Sequence, residues 1–156
     1  MKVLFMCTSN SCRSILSEAL FNHLAPPGVH AVSAGSFPSG QVNPIALDTL
    51  RAAGIASDGL ASKGLEAFED APPDVVITVC DKAAAEPCPV YFGPAIKAHW
   101  GLSDPSDVQG DTAVVRAAFE ATLDKIRQSC VAFLRLPVGE LSPEALKDAL
   151  DRLGAL

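Results

Sequence analysis

The stretch Val3-Leu4-Phe5-Met6-Cys7-Thr8-Ser9-Asn10-Ser11-Cys12-Arg13-Ser14, followed by Ile15-Leu16-Ser17-Glu18-Ala19-Leu20-Phe21-Asn22-His23-Leu24, decides the reading of the chain. Val3 to Met6 is an apolar run suited to a buried strand, and it breaks at Cys7. Hydrophobic residues return at 15, 16, 19, 20, 21 and 24, the spacing of a helix with one buried face. The turn between them is therefore a strand-to-helix loop. Such a loop directs several backbone N–H groups and the positive end of a helix dipole into one small hollow, which favours a tetrahedral oxyanion.

Cys7 opens that hollow and Arg13 closes it, in the spacing Cys-x5-Arg. The planar fork of Arg13 suits two oxygens of an anion, and the N–H groups that bind the anion also stabilise a thiolate at Cys7. The loop thus makes a nucleophile and binds its target. Thr8, Ser9, Asn10, Ser11, Cys12, Arg13 and Ser14 are the expected oxyanion-binding residues. Asn10 suits a backbone position of positive φ, and Ser14 is placed to donate its hydroxyl to the Cys7 sulfur.

Outward from this loop, Pro26-Pro27-Gly28 ends the first helix and a short strand follows at residues 29–33. Asn43-Pro44 reads as an N-cap and first turn, with Gly54 beyond the end of the second helix. Residues 65–69 form a short helical piece. Asp74-Val75-Val76-Ile77-Thr78-Val79 is β-branched and lacks alternation, the mark of a central parallel strand, and it ends at Cys80. A fourth strand is expected over 96–100, a long helix over 112–136 and a last helix from Ser142-Pro143-Glu144 to Leu153. Alternating strands and helices predict a single-domain α/β fold, a doubly wound four-stranded parallel sheet flanked by helices. Residues 1–137 make the domain and 138–156 a C-terminal helical extension. Ligands of such sheets sit beyond the carboxyl ends of the strands, where Cys7, Cys80 and the loop after Trp100 all fall.

The chain has 156 residues, 49% of them hydrophobic and 19% charged, enough for one sizeable core. Its formal charge of −6 argues against nucleic acid or an acidic membrane surface as partner, so an anionic substrate needs a local site. No run reaches the roughly 20 apolar residues of a membrane span, and Met1-Lys2-Val3 leads straight into a core strand, so a cytoplasmic monomer is expected.

Five cysteines stand at 7, 12, 80, 88 and 130. An odd number in a reducing compartment is a poor disulfide framework. Cys80 and Cys88 share one segment at the active edge. A helix between them would hold their Cα atoms roughly 12 Å apart, beyond the ~4.4–6.8 Å of a disulfide, so a bond requires that segment to unwind. Cys80, Cys88 and His99 match no compact zinc spacing, and neither metal nor cofactor is expected. Cys130 falls on the apolar stripe of the long helix and reads as core, and Cys12 as packing within the loop. Asp104, before Pro105 on a loop at the same edge, reads either as a turn aspartate or as a group placed to protonate an oxygen leaving the anion. His23, His30 and His99 show no partner in sequence.

The segment Cys7 to Ser14 resembles the phosphate loop of the low-molecular-weight protein tyrosine phosphatases and of the arsenate reductases that share their fold. Val76 to Cys80, Cys88-Pro89 and His99-Trp100-Gly101-Leu102-Ser103-Asp104-Pro105 resemble the redox-cysteine region of the thiol-dependent reductases. The resemblance implies reduction of arsenate, which phosphate or sulfate would mimic, with Cys7, Arg13, Asp104, Cys80 and Cys88 as catalytic residues. It implies a Cys7–Cys80–Cys88 disulfide relay re-reduced by thioredoxin or a glutaredoxin-type donor. It also implies a monovalent-cation site at Asn10, Glu18 and Ser33; Ala61-Ser62-Lys63 departs from that pattern with a lysine where some members have an acidic ligand, so a built-in ammonium is expected in place of the ion. The alternative is a phosphatase that needs only Cys7, Arg13 and Asp104. Against it, Ser106-Asp107-Val108 follow Asp104-Pro105 where the phosphatases usually carry aromatic residues. A third reading, an oxyanion or redox sensor, lacks any DNA-binding motif to support it.

Overall fold

In a computed structural model of the chain, which describes residues 1–86 and 90–155, four parallel strands lie in the order β2-β1-β3-β4. They are β1 (Lys2–Cys7), β2 (His30–Gly35), β3 (Val75–Thr78) and β4 (Ile96–His99). Val3 to Met6 and all of β3 are buried, as strands covered on both faces must be. Five α-helices accompany them among the described residues: α1 (Arg13–Leu24), α2 (Pro44–Ala52), α3 (Asp81–Ala85), α4 (Thr112–Leu134) and α5 (Pro143–Leu153). The expected four-stranded parallel α/β sheet is the observed one, and the ends of the expected elements lie within two residues of expectation; α3, which follows Cys80 directly, is an addition to them.

Local chemistry sets the element boundaries. Asn43 Oδ1 accepts the N–H groups of Ile45 and Ala46 at the start of α2, with Pro44 as first residue. Asp111 and Ser142 cap α4 and α5 in the same way, accepting from Val114 N at 3.0 Å and Ala145 N at 3.1 Å. Register brings the strand ends into line: Cys7 pairs with Gly35, Met6 with Thr78, and Thr78 with His99. One edge of the sheet therefore presents Cys7, Cys80 and the residues after β4 together.

An aromatic cluster joins the layers beneath that edge. Phe5 of β1 lies 5.8 Å from Phe21 of α1 and 5.7 Å from Trp100, between ring centroids, and Phe21 lies 5.2 Å edge-on from Phe133 of α4. Residues 138–155 are seated on the same cluster. Leu146 and Leu150 of α5 are buried, Trp100 Nε1 donates to Leu150 O at 2.8 Å, and Ser129 Oγ donates to Leu153 O at 3.0 Å. Burial of two leucines contributes on the order of 3–6 kcal/mol, which ties α5 firmly to β4 and α4. Asp151 Oδ1 accepts the His99 N–H at 3.0 Å, satisfying a donor on the edge strand. No helix among the described residues is long and apolar enough to cross a membrane.

Candidate active site

The loop between β1 and α1 is shaped by bonds that pull its carbonyl groups outward. Thr8 O accepts Phe37 N at 2.9 Å, Ser9 O accepts Ser39 N and Ser62 Oγ at 3.0 Å, and Ser11 O accepts Asn43 N at 2.8 Å. Across a trans peptide the C=O of one residue and the N–H of the next point opposite ways, so the N–H groups of Ser9, Asn10 and Cys12 face the other side. That of Asn10 donates to Cys7 Sγ at 3.1 Å. Close approach fixes one neighbour: a Cβ at Gly35 would stand 2.4 Å from Thr8 O, so glycine is required there.

Asn10 organises the loop. It is fully buried with φ +48°, the left-handed conformation that asparagine tolerates. Its Nδ2 donates to Ser14 Oγ at 2.8 Å and its Oδ1 accepts Lys63 N at 2.9 Å. Ser14 Oγ in turn lies 2.9 Å from Cys7 Sγ. The Ser9 and Ser11 hydroxyls pair with each other at 3.1 Å.

Arg13, the first residue of α1, reaches across to the loop after β4. Its Nη1 donates to Leu102 O at 3.0 Å, and its Nη2 lies 3.4 Å from Asp104 Oδ2. The other Asp104 oxygen caps the next turn, accepting from Ser106 N at 2.9 Å and Ser106 Oγ at 2.6 Å. Asp104 is thus both a turn aspartate before proline and a carboxyl group beside the loop arginine.

The second cysteine joins the site from the neighbouring strand. Val79 N donates to Met6 O at 2.9 Å, which continues the β1–β3 pairing to Val79, the residue before Cys80. Cys80 is the N-cap of α3, its Sγ accepting Ala83 N at 3.4 Å and lying 3.7 Å from Thr8 Oγ1. Both sulfurs are nearly sealed: Cys7 is 2% exposed and Cys80 4%. Cys88 lies outside the described residues.

Cys12 and Cys130 are the other two described cysteines, both free thiols. Burial pushes the Cys12 thiol up to about 12, helped by the Asp104 charge and opposed by Arg13. Burial likewise pushes Cys130 up to about 12, opposed only by Arg127. Both remain thiols at neutral pH, and Cys130 is a core residue of α4, as the apolar stripe implies.

Behind the loop, Ser33 Oγ donates to Glu18 Oε1, and Lys63 Nζ stands 3.8 Å from the same oxygen while donating to Ala61 O at 2.9 Å. Burial raises the Glu18 pKa, and the Ser33 hydroxyl and Lys63 ammonium partly offset that rise. Lys63 brings its ammonium to the Glu18–Ser33 pair, at the positions the resemblance gives to a cation.

Sequence reasoning left His99 without a partner. Its Nδ1 is 2.8 Å from Thr78 Oγ1 and its Nε2 is 3.1 Å from Asp81 Oδ1. The nearest signal in sequence is that a residue ending β4 stands beside the end of β3.

A parallel four-stranded sheet whose first strand ends in a Cys-x5-Arg loop, with an aspartate opposite the arginine, defines an oxyanion-handling cysteine enzyme fold. The chain belongs to the family of the low molecular weight phosphotyrosine protein phosphatases, whose sequence model matches residues 2–149. The relatives it resembles carry a more particular name. An arsenate reductase of Bacillus licheniformis is 31% identical over 131 residues, which cover 84% of this chain and 93% of that one. A solved structure described as an arsenate reductase in the phosphate binding state superposes with TM-score 0.64 at 27% identity, covering 83% of this chain and 96% of that one. A thioredoxin-dependent arsenate reductase of Corynebacterium glutamicum superposes with TM-score 0.59 at 29% identity, covering 81% of this chain and 58% of that one.

Proposed function

We propose that this protein reduces arsenate to arsenite through an adduct on Cys7 and a relay of the Cys7, Cys80 and Cys88 thiols. The observation that carries the reading is a second cysteine, Cys80, whose Sγ lies 3.7 Å from Thr8 Oγ1 of the anion loop. A phosphatase uses the loop, Arg13 and Asp104, and has no need of a thiol at the end of the adjacent strand. The arsenate reductases among the similar proteins support the same choice.

Arsenate enters the loop of residues 7–14, held by inward N–H groups and by Arg13. The Cys7 thiolate attacks arsenic, and the departing oxygen takes a proton from Asp104 and leaves as water. Cys80 as thiolate then attacks the Cys7 sulfur. The S–As bond breaks with its electron pair on arsenic, As(V) becomes As(III), and arsenite departs from a Cys7–Cys80 disulfide. Cys88 attacks Cys80 next, which frees Cys7 and moves the disulfide outward. A dithiol donor of the thioredoxin type, or a glutaredoxin-type one, reduces Cys80–Cys88. The two electrons come from thiols throughout, which suits a reducing, cytoplasmic setting.

The second reading is hydrolysis of phosphate monoesters, favoured by the family's own chemistry and by the Arg13–Asp104 arrangement, which serves phosphorus and arsenic alike. The test is single-turnover arsenite release from pre-reduced protein without added reductant, followed by peptide-mass mapping. One arsenite per chain with a Cys80–Cys88 bond is the expected outcome. No arsenite, together with aryl phosphate hydrolysis that vanishes in Cys7→Ser, makes the protein a phosphatase.

A further inference from the structure

Cys80 is 4% exposed, and the first turn of α3 folds over its sulfur through the Ala83 N–H. A thiol that exchanges with Cys80 must reach that sulfur, so whatever keeps α3 in place sets the access. Apolar burial contributes little, because only Ala83 of the five helical residues is buried and a single turn is far below the length at which a helix persists in water.

Polar contacts from β4 take over that task. Lys97 Nζ donates to Ala84 O at 3.2 Å and to Glu86 O, supplying a cation to the last carbonyls of α3. His99, two residues along and so on the same face of the strand, reaches the other end of the helix, with Nε2 3.1 Å from Asp81 Oδ1. The His99 ring is itself fixed by Thr78 Oγ1 at 2.8 Å, and its main-chain N–H by Asp151 Oδ1 at 3.0 Å. On the far side, Ser36 Oγ donates to Glu86 Oε1 at 3.0 Å and Lys82 Nζ stands 5.9 Å from the centre of the Phe37 ring.

We propose that Lys97 and His99 are positioning residues that grip the two ends of α3 from β4 and so set how fast a second thiol reaches Cys80. The inference rests on the reading of Cys80 as a relay thiol. In the exchange concerned, a thiolate forms a bond to Cys80 Sγ while the Cys7–Cys80 bond breaks, and Cys7 leaves with the electron pair as thiolate. One disulfide replaces another, and the proton of the attacking thiol has gone to solvent. Releasing either end of α3 uncovers the sulfur without touching the anion loop.

The test is the rate of iodoacetamide labelling of each cysteine in the reduced full chain, read by peptide mass. Lys97→Met keeps the length of the side chain and removes the ammonium, while Asp81→Asn alters a carboxylate that is 97% exposed and so spares the fold. Cys80 labelling is expected to rise about tenfold in both variants and to return toward the wild-type rate in Lys97→Arg. Cys130, fully buried in α4, is the internal control for global opening and should keep its rate. Unchanged Cys80 labelling in both variants, or Cys130 rising in step with Cys80, overturns the proposal. Labelling needs no arsenate, so it stands apart from the relay itself, which falls if Cys80→Ser sustains arsenite turnover.

Discussion

Ser14 Oγ stands 2.9 Å from Cys7 Sγ while accepting Asn10 Nδ2–H at 2.8 Å, so the Ser14 hydroxyl is the group that donates to the sulfur whenever Cys7 is a thiolate. A hydrogen bond to a charged group contributes about 1.5–3 kcal/mol. Ser14→Ala is therefore expected to slow alkylation of Cys7 at neutral pH by roughly tenfold or more, because each ~1.4 kcal/mol lost is a factor of ten. Stopped alkylation with peptide-mass detection checks it; an unchanged rate would show that the Asn10 N–H alone supports the thiolate.

Asp104 holds its position through Ser106 and faces Arg13 with its free oxygen. Asp104→Asn retains those contacts in shape and removes the proton that the proposed mechanism gives to the departing oxygen. The step that forms the Cys7 adduct should slow by about 10²–10⁴-fold, while the affinity for inorganic phosphate changes little. Rapid-quench arsenite release and phosphate titration measure the two separately, and parallel loss of both would make Asp104 a binding group instead.

Lys63 supplies the positive charge beside a carboxyl group that burial disfavours as an anion. A raised folded pKa means that Glu18 costs stability increasingly as pH rises from its unfolded value through its folded one. Removing the ammonium in Lys63→Met raises that pKa further and strengthens the loss toward neutral pH. Potassium is expected to raise the thermal midpoint of Lys63→Met over that in choline chloride, and to leave the wild type unmoved. A potassium response in the wild type would show that the ammonium does not substitute for an ion.

Asp151 behaves in the opposite sense. Burial acts to raise its pKa, but hydrogen bonds from Lys147 and the His99 N–H, with the Lys147 charge, outweigh it and the net shift is downward. Its contribution is therefore whole above the ordinary aspartate pKa and is lost as pH falls through the lowered one. Thermal midpoints of wild type and Asp151→Asn should differ by a constant amount from neutral to mildly acidic pH and converge below the ordinary aspartate range. A gap that persists in strong acid would assign the difference to something other than ionisation.

The loop from Cys7 to Ser14 was legible because its strand, its helix and its chemistry are contiguous, and the φ of Asn10 and the Ser14–Cys7 contact follow from local geometry. The N-cap at Asn43 and the buried strand at Val75–Thr78 were legible for the same reason. What sequence concealed are contacts made through register. Arg13 meets Leu102 and Asp104 only because β1 and β4 end at one edge, and His99 meets Asp81 only because β4 lies beside β3. The grip of Lys97 on α3 is hidden twice over, since its acceptors are backbone carbonyls that carry no side-chain signature.

Cys7 ends β1 and Cys80 lies just past the end of β3, its parallel neighbour, yet they are separated by nearly half of the chain. A bond between them would close a long ring in the unfolded polypeptide, whereas a bond from Cys80 to Cys88 closes a short one. Loop-closure entropy makes the long ring the more stabilising by about 2 kcal/mol. On the relay proposed above, heat resistance becomes a clock hand: the species holding the long ring should melt highest, and the melting point should fall once the sulfur bond has moved to the short one.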